Sequence, residues 1–265
     1  MWEAAYRFIG WRSYVFPAPS HVLDGILSLL NIRTLLGDPV TAGWPWPKSG
    51  AVVGAVSHGP LLEAILVSCT RLLVGFTMSV LIGGLLGLLM WSIKAIDELL
   101  GPLFLGLQTL PSVCWVPLGI LWFGINEKGI LFVLIMGSMF AIAISLRDGM
   151  RTIPPIYRRA GLMLGAFGWR QYAFVLLPAS LPALATSLRQ GFSFAWRSLM
   201  GAELLFAAQY HGLGFLLETG RSFADVAQVV AVMAIMVLIG ILADRFVFAP
   251  AEQRVHRRFG LMMAE

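Results

Sequence analysis

The chain contains the segment Arg159-Ala160-Gly161-Leu162-Met163-Leu164-Gly165, and nine residues separate it from Val175-Leu176-Leu177-Pro178. Both stretches lie in a semi-polar insert between long apolar runs. Pro154-Pro155 precedes the insert and ends the helix before it, while Gly165 and Gly168 allow a helix to stop. The pattern predicts about two helical turns over residues 156–164. Such defined ends are typical of a docking element rather than of a linker.

The composition identifies the environment of this insert. Of 265 residues, 58% are hydrophobic and only 12% are charged, which is far from the balance of a soluble domain. Several windows of roughly 18 to 25 nearly uncharged residues match the length that a helix needs to cross a bilayer. No run shows the alternation of a membrane β-barrel. The sequence therefore predicts an all-α integral membrane protein.

We predict five membrane spans in a core of residues 56–250, with an N-terminal segment at 1–55 and a C-terminal tail at 251–265. Within the N-terminal segment, residues 1–14 are amphipathic and too short to cross, 22–30 form a short helix, and 36–50 are irregular. No cleavable signal peptide is visible. The predicted spans are Leu72–Ile93, Leu99–Phe123, Gly129–Leu146, Leu176–Phe194 continuing toward Glu203–Phe206, and Val226–Phe248.

The basic residues predict the orientation, because Lys and Arg are retained on the cytoplasmic side. One set of alternate loops holds ten of them, and the opposite set holds only Lys128 and Arg221. The insert and the C-terminal tail are therefore expected in the cytoplasm. The ten are Lys94, Arg147, Arg151, Arg158, Arg159, Arg170, Arg245, Arg254, Arg257 and Arg258.

The N-terminal segment conflicts with this orientation. Five spans ending in the cytoplasm require an outside N-terminus, which places Arg7, Arg12, Arg33 and Lys48 on the wrong side. An additional N-terminal span, absent here or formed partly by residues 1–16, would remove the conflict.

Other classes of site receive no support from the sequence. The net charge of +5 follows from the orientation signal and from attraction to anionic headgroups, so no nucleic acid is needed to explain it. Cys69 and Cys114 lie in apolar runs without ligand-like spacing, which argues against a disulfide or a metal site. The four histidines are scattered and form no catalytic constellation.

The insert resembles a known signature: Glu-Ala-Ala, three residues, Gly, nine residues, then Ile-x-Leu-Pro. It is found in the permease subunits of bacterial ATP-binding-cassette importers of the type I fold. Here the spacing is complete from Arg159 through Gly165 to Pro178, but arginine stands where the family has glutamate. A contact of the family's acid with the ATPase is therefore in doubt, and an inverted charge pair is the alternative.

Further motifs are similar to permeases of the sulfonate, taurine and nitrate group, and the resemblance covers about residues 56–260. It implies a six-helix plan whose first helix is truncated or absent here. The matching stretches are Phe16–Ser20, Gln108–Ser112, Trp115–Leu118, Leu121–Gly124, Trp196, Ala202-Glu203 and Gly212–Gly214.

The resemblance implies a half-transporter in a bacterial inner membrane, without catalytic residues of its own. Two permeases, expected as a homodimer, form the pathway; two cytoplasmic ATPase subunits bind ATP and Mg. A periplasmic or lipid-anchored binding protein delivers the solute. Closure of the ATPases would move coupling helices at about residues 154–168 and rock the pore between two geometries.

The predicted ATPase-docking surface consists of the residues of the insert's short helix and of the turn after it. Small and apolar side chains suit a partner's groove, and two arginines can meet an acidic rim. The alternative is an amphipathic loop that rests on headgroups. The surface comprises Ile156, Tyr157, Arg158, Arg159, Ala160, Gly161, Leu164, Gly165 and Ala166.

The predicted translocation pathway combines polar groups, aromatic residues and ionisable groups inside the spans. Arg189, Ser193 and Arg197 recur every four residues and share a helix face, so an anion could meet guanidinium groups there. The alternatives are an internal ion pair with Glu203 or a snorkelling arginine. The pathway candidates are Gln108, Thr109, Pro111, Ser112, Trp115, Arg189, Ser193, Trp196, Arg197 and Glu203.

Prolines and glycines predict how the spans pack. Gly75, Ser79, Gly83 and Gly87 recur every four residues and give the first span a smooth face for close packing. Pro111 and Pro117 are expected to break the second span, with freed carbonyls facing a cavity or with a kink that only serves packing. Pro178 and Pro182 are expected to shape the start of the fourth span.

Two other kinds of transport protein remain as alternatives. A secondary transporter would show paired inverted repeats with broken helices, and no such symmetry is visible. An ATP-independent channel is compatible with the composition. The sequence does not name the solute, and sulfonate, taurine, nitrate, bicarbonate and vitamin precursors stay open.

Overall fold

A computed structural model describes residues 17–29, 60–206 and 212–258, and every element within these ranges is helical. The predictions for residues 1–14 and 36–50, and for Arg7, Arg12, Arg33 and Lys48, lie outside the described residues. The helices are α1 Pro19–Leu29, α2 Pro60–Ser92, α3 Lys94–Thr109, α4 Val116–Phe123, α5 Glu127–Arg151, α6 Pro155–Met163, α7 Leu181–Leu205, α8 Leu213–Ser222, α9 Val226–Ala243 and α10 Ala249–Arg258.

The chain forms two compact units: residues 1–70 with 203–238, and residues 71–202 with 239–265. In the larger unit, α2 and α5 pack through the glycine face that the sequence predicts. A methyl group added at Gly83 would lie 2.5 Å from the Met139 carbonyl oxygen, and one at Gly87 would lie 2.7 Å from that of Ala143. Only a residue without a side chain allows this approach, so close packing on this face is confirmed.

Polar contacts join the same two helices. The Ser138 hydroxyl donates to Ser79 Oγ at 2.7 Å, and the Ser79 hydroxyl donates to the Gly75 carbonyl oxygen at 2.8 Å. Nearer the start of α5, Arg71 Nε donates to Glu127 Oε2 at 2.7 Å. Each hydroxyl thus has an acceptor, as a polar group in hydrocarbon requires.

The predicted second span, Leu99–Phe123, is not one helix. Helix α3 ends at Thr109, a short 3₁₀ turn covers Ser112–Trp115, and α4 follows, with a bend of 104° between the two arms. Leu110 is extended because the residue before a proline avoids the helical region, and Pro111 lacks the N–H that a helix would need. Pro117 lies in the first turn of α4, where proline is tolerated, so only Pro111 breaks the span.

Three helices are long and apolar enough to cross a membrane, Leu61–Ser92, Glu127–Arg151 and Val226–Arg257, and the bent pair adds a fourth if it is one span. These comprise four of the five predicted spans, counted within the described residues. The remaining helix, α7, begins at Leu181 rather than Leu176 and is more polar, since it carries Arg189 and Arg197. Residues 172–176 form a π-helix, and Pro182 lies in the first turn of α7, as expected.

An aromatic cluster holds α2, α7 and the segment after α9 together. The rings of Phe192 and Phe248 stack with centroids 4.5 Å apart, and Phe76 packs edge-on against both at 6.2 and 6.0 Å. Phe248 ends the π-helix Asp244–Phe248, whose wider turn leads into α10. The cluster fixes α7 at the level where its charged residues lie.

Candidate functional site

The short helix of the insert forms where the sequence predicts it. Helix α6 covers Pro155–Met163 and starts at the predicted proline pair. At its end, the Ala166 amide donates to the Gly161 carbonyl oxygen at 2.9 Å, and Gly165 adopts a positive φ of 78°. A residue in this left-handed conformation commonly follows the end of a helix, and it is usually glycine. Gly168, with φ of 55°, turns the chain again.

Two contacts fix α6 to the segment that follows it. Gly161 is buried, and a methyl group added there would lie 2.9 Å from Val175 Cγ2. The Gln171 side-chain amide donates to the Arg158 carbonyl oxygen at 2.9 Å. The two halves of the signature, Arg159–Gly165 and Val175–Pro178, therefore pack directly on each other. These contacts fix α6 to the segment that leads into α7.

Exposed apolar side chains lie on α6 and in the turn that follows it. Leu164 is 87% exposed and Met163 is 89% exposed, and Ile156 and Phe167 are each more than two-thirds exposed. Arg158 and Arg159 are also exposed, while Ala166 is half-buried. The sequence prediction omitted Met163 and Phe167 from the docking set, although their positions in the insert were signal enough. An unpartnered apolar patch beside two arginines suits a partner's groove.

A second feature lies at the break after α3. A cavity of about 300 Å³ is lined by residues of the break, of α5 and of α7. It collects six of the predicted pathway residues, which are Gln108, Thr109, Pro111, Ser112, Trp115 and Arg197. The break opens this space because two helical arms that diverge by 104° cannot fill the angle between them.

The positive charge in this cavity comes from Arg197. Its Nε donates to the Ser193 carbonyl oxygen at 3.1 Å, and its guanidinium carbon lies 4.7 Å from the centroid of the Phe194 ring. The ring face offers a cation–π contact, so the arginine is held in place without a carboxylate. No Asp or Glu occurs among the described residues that line the cavity.

Seven lining residues were missed at the sequence level, which are Leu107, Leu110, Val113, Met136, Gly137, Phe194 and Ser198. A methyl group added at Gly137 would lie 2.0 Å from Ser198 Oγ, so this glycine is what allows α5 and α7 to approach. The only sequence feature that could have identified one of them was the position of Ser198 beside Arg197. Neither Met136 nor Gly137 could be found from a span that reads as uniformly apolar.

Arg189 does not line the cavity and does not pair with Glu203 as the alternative proposed. It donates to Asp244 through Nε at 2.7 Å and Nη2 at 2.8 Å, and to Glu252 through Nη1 at 2.8 Å. The alternative of an ion pair with Glu203 is wrong in its partner because Glu203 lies on the same helix 14 residues further on. Arg189 instead ties α7 to α10.

The other candidates are dispersed. Trp196 faces Gly240 of α9, where an added methyl group would lie 3.3 Å from Nε1, and Ser193 is exposed. Glu203 is buried in the smaller unit: Ser68 Oγ donates to its carboxylate at 2.8 Å, and the Gly214 amide donates to Oε2 at 3.1 Å. It therefore caps the start of α8.

Comparisons with known proteins identify the family. The family model described as "Binding-protein-dependent transport system inner membrane component" matches residues 79–254. The putative aliphatic sulfonates transport permease protein SsuC of Bacillus subtilis is 30% identical over 90% of this chain and 84% of its own length. A putative ABC transporter permease protein of Methanocaldococcus jannaschii is 32% identical over 75% of this chain and 77% of its own. The nitrate import permease protein NrtB of Synechocystis is 28% identical over 72% and 70%.

A solved structure supports the fold. A chain of the inward-facing MetNI methionine ABC transporter superposes with a TM-score of 0.61 at 17% identity, covering 74% of this chain and 96% of its own. The all-α arrangement predicted from the sequence is therefore that of a type I importer's transmembrane domain. With the family model matched over 79–254, this chain belongs to the binding-protein-dependent transport system inner membrane components.

Proposed function

We propose that this chain is the permease subunit of an ATP-driven importer for a small organic or inorganic anion. The observation that carries the proposal is α6, a short helix with an exposed apolar face that is anchored to the rest of the signature through Gly161. Such a surface is needed by a subunit that receives force from a partner, and an autonomous channel has no use for it.

The partners follow from this role. Two ATPase subunits hold ATP and Mg, each receives one α6 in a groove, and a second copy of this chain completes the pathway. A periplasmic or lipid-anchored binding protein delivers the solute. The permease itself performs no chemistry, and its lipid-facing helices keep it in the inner membrane with α6 and α10 in the cytoplasm, as the basic residues favour.

The coupling step is mechanical. When the ATPases close, their grooves shift α6, and Val175 and Gln171 transmit the shift to the segment that leads into α7. Arg197 lies on α7 and lines the cavity at the Pro111 break, so that motion changes the cavity. Packed helices switch between discrete arrangements rather than deforming continuously, which suits alternation between two pore geometries.

The anionic solute class is supported by the cavity and by the relatives. Arg197 faces a cavity whose lining, within the described residues, includes no carboxylate, and a guanidinium with several N–H donors is well suited to an oxyanion. The relatives' names include nitrate, taurine, bicarbonate and aliphatic sulfonates, all of which are small and contain an anionic oxygen group.

The experiment tests both coupling and ATP dependence. The tagged full chain is purified from its host membrane, and uptake of labelled nitrate, bicarbonate, taurine and an alkanesulfonate is measured in cells that lack or express it. Leu164→Asp places a charge at the exposed residue directly after α6, and Phe223→Asp is the matched control, since Phe223 is 79% exposed outside the insert. We expect the wild type and the control to retain an ATPase subunit, and Leu164→Asp to lose it together with uptake.

Two results would overturn the proposal. One is reproducible purification without any ATPase subunit, combined with flux that does not respond to depletion of ATP; that would establish the channel alternative. The other is full uptake by Leu164→Asp, because a charge in an apolar groove costs too much for docking to survive.

A further inference from the structure

Gln108, which lines the cavity at the Pro111 break, carries a buried hydrogen-bond acceptor. Oε1 of Gln108 is buried and has no hydrogen-bond partner among the described residues. Buried side-chain polar atoms are almost always bonded, because an unpaired carbonyl out of water is costly. Because Gln108 lines the cavity, a rotation of its side-chain amide would present Oε1 to a ligand that supplies the missing donor.

The same cavity has a cationic part. Arg197 lines it and commits only its Nε to a protein acceptor, the Ser193 carbonyl oxygen, in the part of the chain that the structure describes. A guanidinium has five N–H donors, so it retains capacity for an oxyanion. Gln108 and Arg197 therefore bring an acceptor and a cation to the same cavity.

The size of the cavity determines which solutes can contact both Gln108 and Arg197. A sphere of the cavity's volume, about 300 Å³, is about 8 Å across. A molecule of a few heavy atoms spans such a space and can reach both groups. Leu107, Val113 and Met136 supply apolar contact around it.

Resting on the proposed function, we propose that this cavity is a solute subsite in which Gln108 selects an oxyanion carrying its own N–H or O–H donor. Arg197 binds the anionic oxygens, and the solute's donor bonds Gln108 Oε1. Hydroxy- and aminosulfonates and hydrogencarbonate meet this requirement. Nitrate and unsubstituted alkanesulfonates do not, since they have acceptors only and leave Oε1 unpaired.

The test uses probes that differ only in the donor. Isethionate and propane-1-sulfonate have the same charge and nearly the same shape, but a hydroxyl in one is a methyl group in the other; hydrogencarbonate and nitrate form a second pair. Binding is measured by titration calorimetry on the full chain assembled with its ATPase subunits in nanodiscs, without the binding protein. We expect the donor-bearing member of each pair to bind about tenfold more tightly.

Three variants test whether Gln108 causes the preference for the donor-bearing probe. Gln108→Met keeps the length of the side chain but removes the acceptor, so the ratio within each pair should fall to about one. Arg197→Gln should weaken both members and leave their ratio in place. Gln190→Met is the control, because Gln190 is an exposed glutamine of α7 that does not line the cavity; its ratio should be unchanged.

Equal binding of both members by the wild type, a preference that survives Gln108→Met, or no binding of any probe would each overturn the subsite. None of these results touches ATP-driven uptake, which is measured separately in cells. If uptake persists while the preference is absent, the subsite is wrong and the permease role stands. If uptake is independent of ATP, the permease role itself is wrong.

Discussion

The glycine face of α2 permits a demanding test of the packing. In Gly83→Ala, the new methyl carbon would lie 2.5 Å from the Met139 carbonyl oxygen and 3.2 Å from Ile142 Cβ. The first neighbour is backbone within α5, so it cannot rotate away as a side chain could. The two helices must separate for the variant to fold.

The magnitude follows from the distances. Ordinary contact begins at 3.4 Å, so α2 and α5 must move apart by about 0.9 Å at this level. The next turn loosens as well, because Gly87 approaches the Ala143 carbonyl oxygen in the same way. Overpacking of this kind costs roughly 1–3 kcal/mol. Each kcal/mol corresponds to roughly 2–4 °C of melting temperature in a chain of this size.

The adjacent residue supplies the control. A methyl group added at Gly84 would meet nothing within 4 Å, so Gly84→Ala adds the same atoms without a clash. It also improves helix propensity by up to about 1 kcal/mol. Melting of the purified chain in nanodiscs, followed by intrinsic fluorescence, should show Gly83→Ala several degrees below the wild type and Gly84→Ala at or above it. Equal melting temperatures for the two variants would refute this account of the interface.

Three further outcomes are expected. Gly161→Val should reduce ATP-dependent uptake at least tenfold while helix content by circular dichroism stays constant, since the larger residue displaces α6 from Val175. Unchanged uptake would contradict transmission through this contact. Arg159→Glu should weaken co-purification of the ATPase, and intact coupling without a change in the partner would show that no inverted charge pair exists. Arg189→Ala should destabilise the chain by roughly 1–2 kcal/mol in thermal unfolding, a value reduced for solvent screening because its side chain is 41% exposed; no loss of stability would mean that the tie to Asp244 is redundant.

Some of the candidate site was predictable because it depends on local chemistry. The bounds of α6 follow from prolines before it and glycines after it, which restrict the backbone regardless of what surrounds them. The packing face of α2 follows from a four-residue repeat of small residues. The apolar spans are predictably helical, because a backbone amide without a hydrogen-bond partner is costly in lipid.

Other parts were beyond the sequence because they depend on which helices meet. Pro111 predicts a break, but its 104° angle depends on what each arm packs against. Arg189 and Arg197 lie two turns apart on one helix, so the helical period puts them on the same face and predicts the same role for both. Only the fold supplies Arg189 with Asp244 and Glu252, and leaves Arg197 facing the cavity.

The sequence by itself thus determined a helical membrane protein with a short helix between two spans, since hydrophobic length, proline and glycine act within a few residues of themselves. The tertiary structure decided which polar groups share a space. Gln108 and Arg197 are 89 positions apart, and no local rule relates them. They line one cavity because a broken span leaves a gap that the neighbouring helices do not fill.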